Sequence, residues 1–181
     1  MNKKLVIRES THNELEDVLA VDWAAFDTDE ETNLVRNLFC DPSAKPYLSL
    51  LALMGHQSVG HILFTNARLD PDSTLSISIL GPLAVIPSYQ KKGIGEKLIR
   101  RGLGILTRKG IDLVFVLGHT SYYPRFGFTP AIAAGFEPPY PIESEFTDAW
   151  MVHVLNPACE GSYRGKVLCA DTFDDPKYWG E

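Results

Sequence analysis

Long apolar runs are missing from this chain of 181 residues: no stretch approaches the roughly 18 residues that cross a bilayer. The opening segment MNKKLVIRES has an apolar centre too short for a secretory leader and closed by Arg8, so a cytoplasmic protein that does not engage membranes is expected. Cysteine is scarce. Cys40, Cys159 and Cys169 are odd in number and lack C-x-x-C or another metal-ligand spacing, which argues for free buried thiols and against a disulfide framework or any metal site. Positive charge is also in deficit: 17 Lys and Arg against 23 Asp and Glu leave a net charge of −6, which argues against nucleic acid and anionic membranes as partners. Internal repeats, low-complexity tracts and linkers are absent. With 45% apolar residues, a chain of this length buries one sizeable core, and a single domain over residues 1–181 is expected.

Against this acidic background the basic residues are gathered in one place. Seven of the 17 (Lys91, Lys92, Lys97, Arg100, Arg101, Arg108 and Lys109) fall between Gln90 and Lys109, opposed only by Glu96. That segment carries +6 and the remainder −12, so the cluster points to a small polyanionic ligand.

The hydropathy pattern predicts a strand over Lys4–Arg8 and then a helix capped by Ser10 or Thr11, with Leu15, Val18, Leu19 and Trp23 on its apolar stripe. DTDEETNLVRNLF predicts a second helix with an acidic start. Strands follow over Leu48–Met54 and Val59–Ala67, joined by the hairpin signal GHQS, and Leu75, Ile77 and Ile79 alternate with serines in a fourth. A long helix runs from the basic segment. DLVFVLG reads as a strand covered on both faces; FGFTP and AWMVHVL are two more candidates, TPAIAAGFEPPYPIES is a long loop, and GKVLCA lies in a polar tail. The order β-α-α-β-β-β-α-β-α-β-β predicts an α/β fold of the α+β kind: a mixed, mostly antiparallel sheet, helices on both faces, and a parallel pair joined through the long helix.

The chemistry concentrates in LGPLAVIPSYQKKGIGEKL. A helix N-terminus presents unpaired amides and the positive end of the macrodipole, and Gly93 and Gly95 let the preceding backbone curl round an anion. A Rossmann or P-loop reading is disfavoured, because GIGEKL lacks the third glycine of G-x-G-x-x-G and no G-K-[ST] is present. Upstream, Gly81-Pro82 should kink its strand away from a neighbour. The backbone groups of Leu83, Ala84 and Val85 would then be free to pair with an extended, amide-bearing ligand. An anionic head at Gln90–Glu96 with an amide-containing arm along Leu83–Val85 describes coenzyme A. On the buried face of the helix, Gly102 would let helix and sheet approach closely.

These segments resemble the GCN5-related N-acetyltransferases (GNAT). QKKGIG matches their Q/R-x-x-G-x-G/A loop, and YYPRFGF resembles their fourth helix, which often ends in a Tyr ahead of a Gly-Phe strand start. LGPLAVIPSYQKKGIGEKLIRRGL with LVFVLGHTSYYPRFGFTPA, AWMVHVL and GKVLCADTF look like the YhbS-type branch, so the resemblance covers nearly the whole chain. It implies a GNAT-like fold and transfer of an acetyl or other short acyl group from acyl-CoA to an amine, by direct attack in a ternary complex, with acetyl-CoA as cosubstrate. Leu83 and Val85 would offer backbone groups to pantetheine. Gln90, Lys91, Lys92, Gly93, Ile94, Gly95 and Glu96 would contact the pyrophosphate, mainly through main-chain amides. Tyr123 falls where the family has the general acid for the departing thiolate; the plain alternative makes Tyr122 and Tyr123 packing aromatics.

The chain also departs from the family's pattern. The segment before Tyr123 is shorter than in many relatives and Pro124 follows at once, while the family's strand Glu, which relays the amine proton, has no counterpart in LSISIL or LVFVLG. His119 or a water chain would serve instead. On the acceptor side the resemblance points to Trp23 and Phe26, beside Asp27, Asp29, Glu30 and Glu31; those acids also read as the capping start of the second helix. A noncatalytic CoA-binding module of the same fold is the alternative function. Nothing in the sequence decides between monomer and homodimer.

Overall fold

The structure is a computed structural model and describes residues 2–72 and 74–180. The first strand, β1 (Leu5–Glu9), leads through a capping box, in which the Glu14 carboxylate accepts the Thr11 amide at 2.7 Å, into α1 (Leu15–Phe26). The buried stripe of α1 is Val18, Leu19, Val21 and Asp22. Trp23, expected on that stripe, is half exposed, and a buried carboxylate stands beside it instead. Asp27 ends α1 in a left-handed conformation, and Thr28 caps α2 (Asp29–Cys40), whose first turn holds Asp29, Glu30 and Glu31 at the favourable end of its dipole.

Strands β2 (Leu48–Met54) and β3 (Gln57–Asp70) form the hairpin around Gly55, and β4 (Ile77–Val85) adds antiparallel to β3. The long helix α3 (Ile94–Arg108) then crosses to β5 (Leu113–Leu117), which lies parallel to β4. Short strands β6 (Thr129–Pro130) and β7 (Phe136–Glu137) precede β8 (Trp150–Val154) and β9 (Gly165–Leu168). The order is β1-β2-β3-β4-β5-β8-β6, with β9 joining the far end of β3 and pairing parallel with β7. The result is a mixed α/β architecture with helices on both faces.

Alternation along the strands divides the core. Ile62, Phe64, Val114 and Val116 point to α3, whereas Leu63, Ile77, Ile79, Leu113 and Phe115 point to the face that carries α2 and the C-terminal turns. Gly102 does bring α3 close to the sheet, since a methyl group there would run into the Phe64 ring. Two expectations need correction. The segment after β5 forms only a 3₁₀ turn, Tyr123–Phe126, because Pro124 removes an amide and Gly127 reverses the chain at φ 93°. The polar tail is in fact built into the core: Val167, Phe173 and Trp179 are buried there. All three cysteines are free, Cys159 buried and Cys169 half-buried, but Cys40 is exposed.

Candidate active site

The site forms where β4 leaves β5. The two strands pair from Ile77 opposite Leu113 to Leu80 opposite Val116 and no further. Beyond this, Gly81 and Pro82 together face the single residue Leu63 of β3, a bulge that bends β4 while keeping it on β3. The kink anticipated at Gly81-Pro82 therefore separates β4 from β5 only. Past the bulge the Ile86 amide donates to the Val59 carbonyl at 3.0 Å. The period of two then turns the backbone groups of Ala84 toward β3 and those of Leu83 and Val85 toward the gap. Ala84 is buried, and Leu83 and Val85 are half-buried. The Val85 carbonyl accepts the Gln90 side-chain amide at 2.9 Å, which ties the start of the glycine loop to the strand.

That loop ends in the N-terminus of α3. Lys91 (φ 60°) and Gly93 (φ 82°) are left-handed, an alternation that turns successive amides inward as a concave nest. No side chain caps the helix at Gly93, and a Cβ on Gly93 would meet nothing within 4 Å, so space is open in front of the amides. Ile94 is buried and anchors the turn, whereas Lys91 and Lys92 are exposed around it. Glu96, an acid in an otherwise cationic segment, is neutralised by Arg100 at 3.0 Å. A Cβ on Gly95 would lie 2.7 Å from the Tyr122 hydroxyl and 3.7 Å from Leu83, so loop, strand and tyrosine converge there. The Tyr122 ring is held edge-on by Tyr123 and Phe126 and is covered by the Arg125 guanidinium, 4.7 Å from its centre.

A cavity of about 440 Å³ occupies the splay, lined by Leu80–Leu83 of β4, Val116–His119 of β5 and its exit, and Tyr123. Glu30, Glu31 and Leu34 form its α2 wall, with Phe26 from the end of α1 beside them, and Phe173 and Lys177–Gly180 close it from the C-terminal turns. Tyr123 is 8% exposed, and burial, reinforced by Tyr122, raises its hydroxyl well above the ordinary phenol value. It stays an O–H donor throughout the neutral range. A second cavity of about 760 Å³ shares Leu117, Gly118, His119, Trp179 and Gly180 with the first and extends to Pro141–Ala149.

Of the residues singled out from sequence, Leu83, Tyr123, His119 and Phe26 line this cavity; Trp23 does not, and Ala84, Val85 and the loop Gln90–Glu96 lie beyond its lining, joined to it by the Gln90–Val85 hydrogen bond and the approach of Gly95 to Leu83 and Tyr122. Sequence reasoning missed the C-terminal wall. Its signal was the aromatic content of FDDPKYWG, hidden among charged residues. Among the described residues no cluster of His, Cys, Asp and Glu could hold a metal ion, and no helix is long and apolar enough to cross a membrane.

A mixed sheet splayed at a parallel pair, with an uncapped helix N-terminus beside the gap, defines an acyltransferase fold of the GNAT type, and the chain belongs to that family: residues 6–131 match the acetyltransferase (GNAT) domain. It is 46% identical over 158 residues, 86% of each chain, to the uncharacterised N-acetyltransferase YjhQ of Escherichia coli. In three dimensions it is similar to the GNAT-family N-acetyltransferase YhbS of Escherichia coli in complex with CoA, with a TM-score of 0.87 and 26% identity, covering 96% of this chain and 93% of the other. A GNAT-family acetyltransferase from Brucella melitensis in complex with acetyl-CoA gives a TM-score of 0.76 at 28% identity, over 95% and 99% of the two chains.

Proposed function

We propose that residues 1–181 act as one acyl-CoA-dependent N-acyltransferase unit, which transfers an acetyl or other short acyl group to an amine by direct attack in a ternary complex. The observation that carries this reading is the continuity of two main-chain surfaces: the outward groups of Leu83 and Val85, and the uncapped amides of Lys91–Glu96. An elongated ligand with amides at one end and a diphosphate at the other fits both, and the open space in front of Gly93 leaves room for the phosphates. The CoA and acetyl-CoA held by the YhbS and Brucella proteins support the same ligand.

In this mechanism Leu83 and Val85 fix the linker so that the thioester lies in the splay. Lys91 and Lys92 add charge at the rim, and Gln90 braces the loop through Val85. Attack by the amine nitrogen on the thioester carbonyl forms the C–N bond as the C–S bond breaks, and the Tyr123 hydroxyl donates to the developing thiolate. The amine enters from the side of Phe26 and the C-terminal turns; Trp23, exposed outside the cavity, serves at most at the approach.

A thermal-shift series with acetyl-CoA, CoA and ATP tests the cosubstrate assignment. A ligand present at 100 times its Kd adds about 2.7 kcal/mol of stability. For a domain of this size that is a rise of about 5–10 °C with acetyl-CoA or CoA, and a much smaller one with ATP, which lacks the pantetheine arm. Equal shifts with ATP and CoA, or none with either, would overturn it.

A further inference from the structure

The α2 wall of the cavity carries a carboxylate that the cosubstrate does not use. Glu31 stands in the first turn of α2, half-buried, on a turn fixed by its own amide donating to the Thr28 hydroxyl at 3.4 Å. It lines the splay together with Tyr123, Leu83 and Val116. Phe26, Leu34 and Tyr178 add apolar surface to the same cavity. Resting on the acyltransferase reading above, we propose that Glu31 is the acceptor-side catalytic residue: its carboxylate receives the ammonium group of a primary amine with an apolar body and takes the proton that the amine must lose before it attacks the thioester.

The other titratable groups around the cavity fit this role less well. Glu30 is exposed at the rim, His119 is exposed beyond the end of β5, and Lys177 is a cation that points toward Asp175 at 3.9 Å. Tyr123 is the donor on the thioester side, and the remaining phenol, Tyr178, lies under the Lys177 ammonium. Behind Glu31, on α1, Asp22 is fully buried; its Oδ1 meets His61 at 3.0 Å and its Oδ2 has no partner. Burial first, then the Asp22 charge, then Glu30 raise the Glu31 carboxyl above the ordinary range. A carboxylate of raised proton affinity is a better base than one in water, and a cationic amine relieves the surplus of negative charge around it.

The protons balance. The ammonium loses one proton to Glu31, the nitrogen attacks, and the C–N bond forms as the C–S bond breaks. The nitrogen's next proton is matched by the one that sulfur gains, and Glu31 releases its proton to solvent, one for each amide formed.

Phenethylamine, an ammonium on a short apolar body, is the probe. Calorimetric titration into wild type, E31Q, D22N and H119A under saturating CoA reads binding without turnover, and thiol release from acetyl-CoA with the same amine reads the reaction. E31Q is expected to bind the probe at least tenfold more weakly at pH 8 and to lose about 10²–10⁴-fold in rate. In wild type, binding fades as pH falls through the raised Glu31 value. That limb disappears in E31Q, moves to lower pH in D22N, where the neighbouring charge is gone, and persists in H119A. Wild type that binds CoA but not the probe, or E31Q that matches wild type, overturns the assignment of Glu31. Failure of wild type to bind CoA overturns the acyltransferase reading itself, and the inference with it. If D22N does not fold, the comparison of E31Q with wild type decides alone.

Discussion

Replacing Gly102 by alanine tests how α3 is seated, and Gly104, two residues along the same helix, supplies the control. Alanine improves an α-helix interior by up to about 1 kcal/mol over glycine at either site. The surroundings set the sign. A methyl on Gly104 has Arg108 Nη1, at 3.8 Å, as its nearest neighbour, so G104A should stabilise by about 0.4–1 kcal/mol. A methyl on Gly102 would enter the Phe64 ring, which is 1% exposed in the middle of β3 and cannot swing out to solvent without disturbing the core. Overpacking of this kind costs about 1–3 kcal/mol, near the upper end here, so G102A should lose about 1–2 kcal/mol after the helical gain. Urea unfolding should show a lower midpoint with an unchanged slope, and the melting temperature should fall by about 2–8 °C. Adding F64L should recover part of the loss, as a positive coupling in the double-mutant cycle. Because the uncapped N-terminus of α3 is the proposed seat of the diphosphate, G102A should weaken acetyl-CoA binding several-fold and G104A should not. A G102A protein as stable as G104A would refute the close approach.

Two further substitutions probe the walls of the site. Asp41 accepts hydrogen bonds from the backbone and side chain of both Ser43 and Thr172, and this outweighs the burial that opposes ionisation and holds its carboxyl at about 2. Since the folded value lies below the unfolded one, the carboxylate stabilises fully above about pH 4 and loses its contribution, about 2 kcal/mol, as pH falls toward 2. D41A should flatten that part of the acid-unfolding curve followed by circular dichroism, and should expose residues 171–180 to limited proteolysis. Tyr123→Phe should keep the thermal shift with CoA yet lower the rate of amine-dependent thiol release by about 10²-fold or more. An unchanged rate would leave Tyr123 as packing only, and loss of all turnover-related effects across the set would favour a noncatalytic CoA-binding module.

Local signals with a strong physical cause were legible before any coordinates. The alternation in β4, the fully buried run of β5 and the glycine-opened α3 each satisfy one dominant constraint, and their positions differ from expectation by a residue or two. The turn from Gln90 into α3 could be read because glycine reports backbone geometry directly: Gly93 is left-handed and leaves the helix N-terminus without a side-chain cap. What could not be read depended on contacts distant in sequence. The C-terminal wall forms because Thr172 reaches Asp41 across 131 positions, and Trp179 stacks edge-on against Trp150. Neither has a local signature. The acid cluster of α2 was ambiguous for a different reason: Glu31 is both a good first-turn residue and a wall of the cavity, and only the fold separates the two roles.

The fold also decides against a misleading constellation. Ser49, His61 and Asp22 are joined by bonds of 3.0 Å and 3.0 Å in the order of a hydrolase triad, and Ser10 donates to Ser49 at 2.7 Å. A nucleophilic serine must meet its acyl donor, however, and here the serine is 5% exposed and the other two are fully buried. In the tautomer that completes the chain, Ser10 donates to Ser49, Ser49 to Nε2, and Nδ1–H to Asp22, so the histidine is satisfied on both sides without any substrate. The chain therefore works as a brace that fastens α1 to β2 and β3. Its end, the unpartnered Oδ2 of Asp22, keeps a negative charge buried beside α2. Breaking the brace at Ser49 should consequently act on the site only through that charge: S49A should lower stability by about 1–3 kcal/mol, the cost of a lost buried hydrogen-bond partner, and leave CoA binding intact.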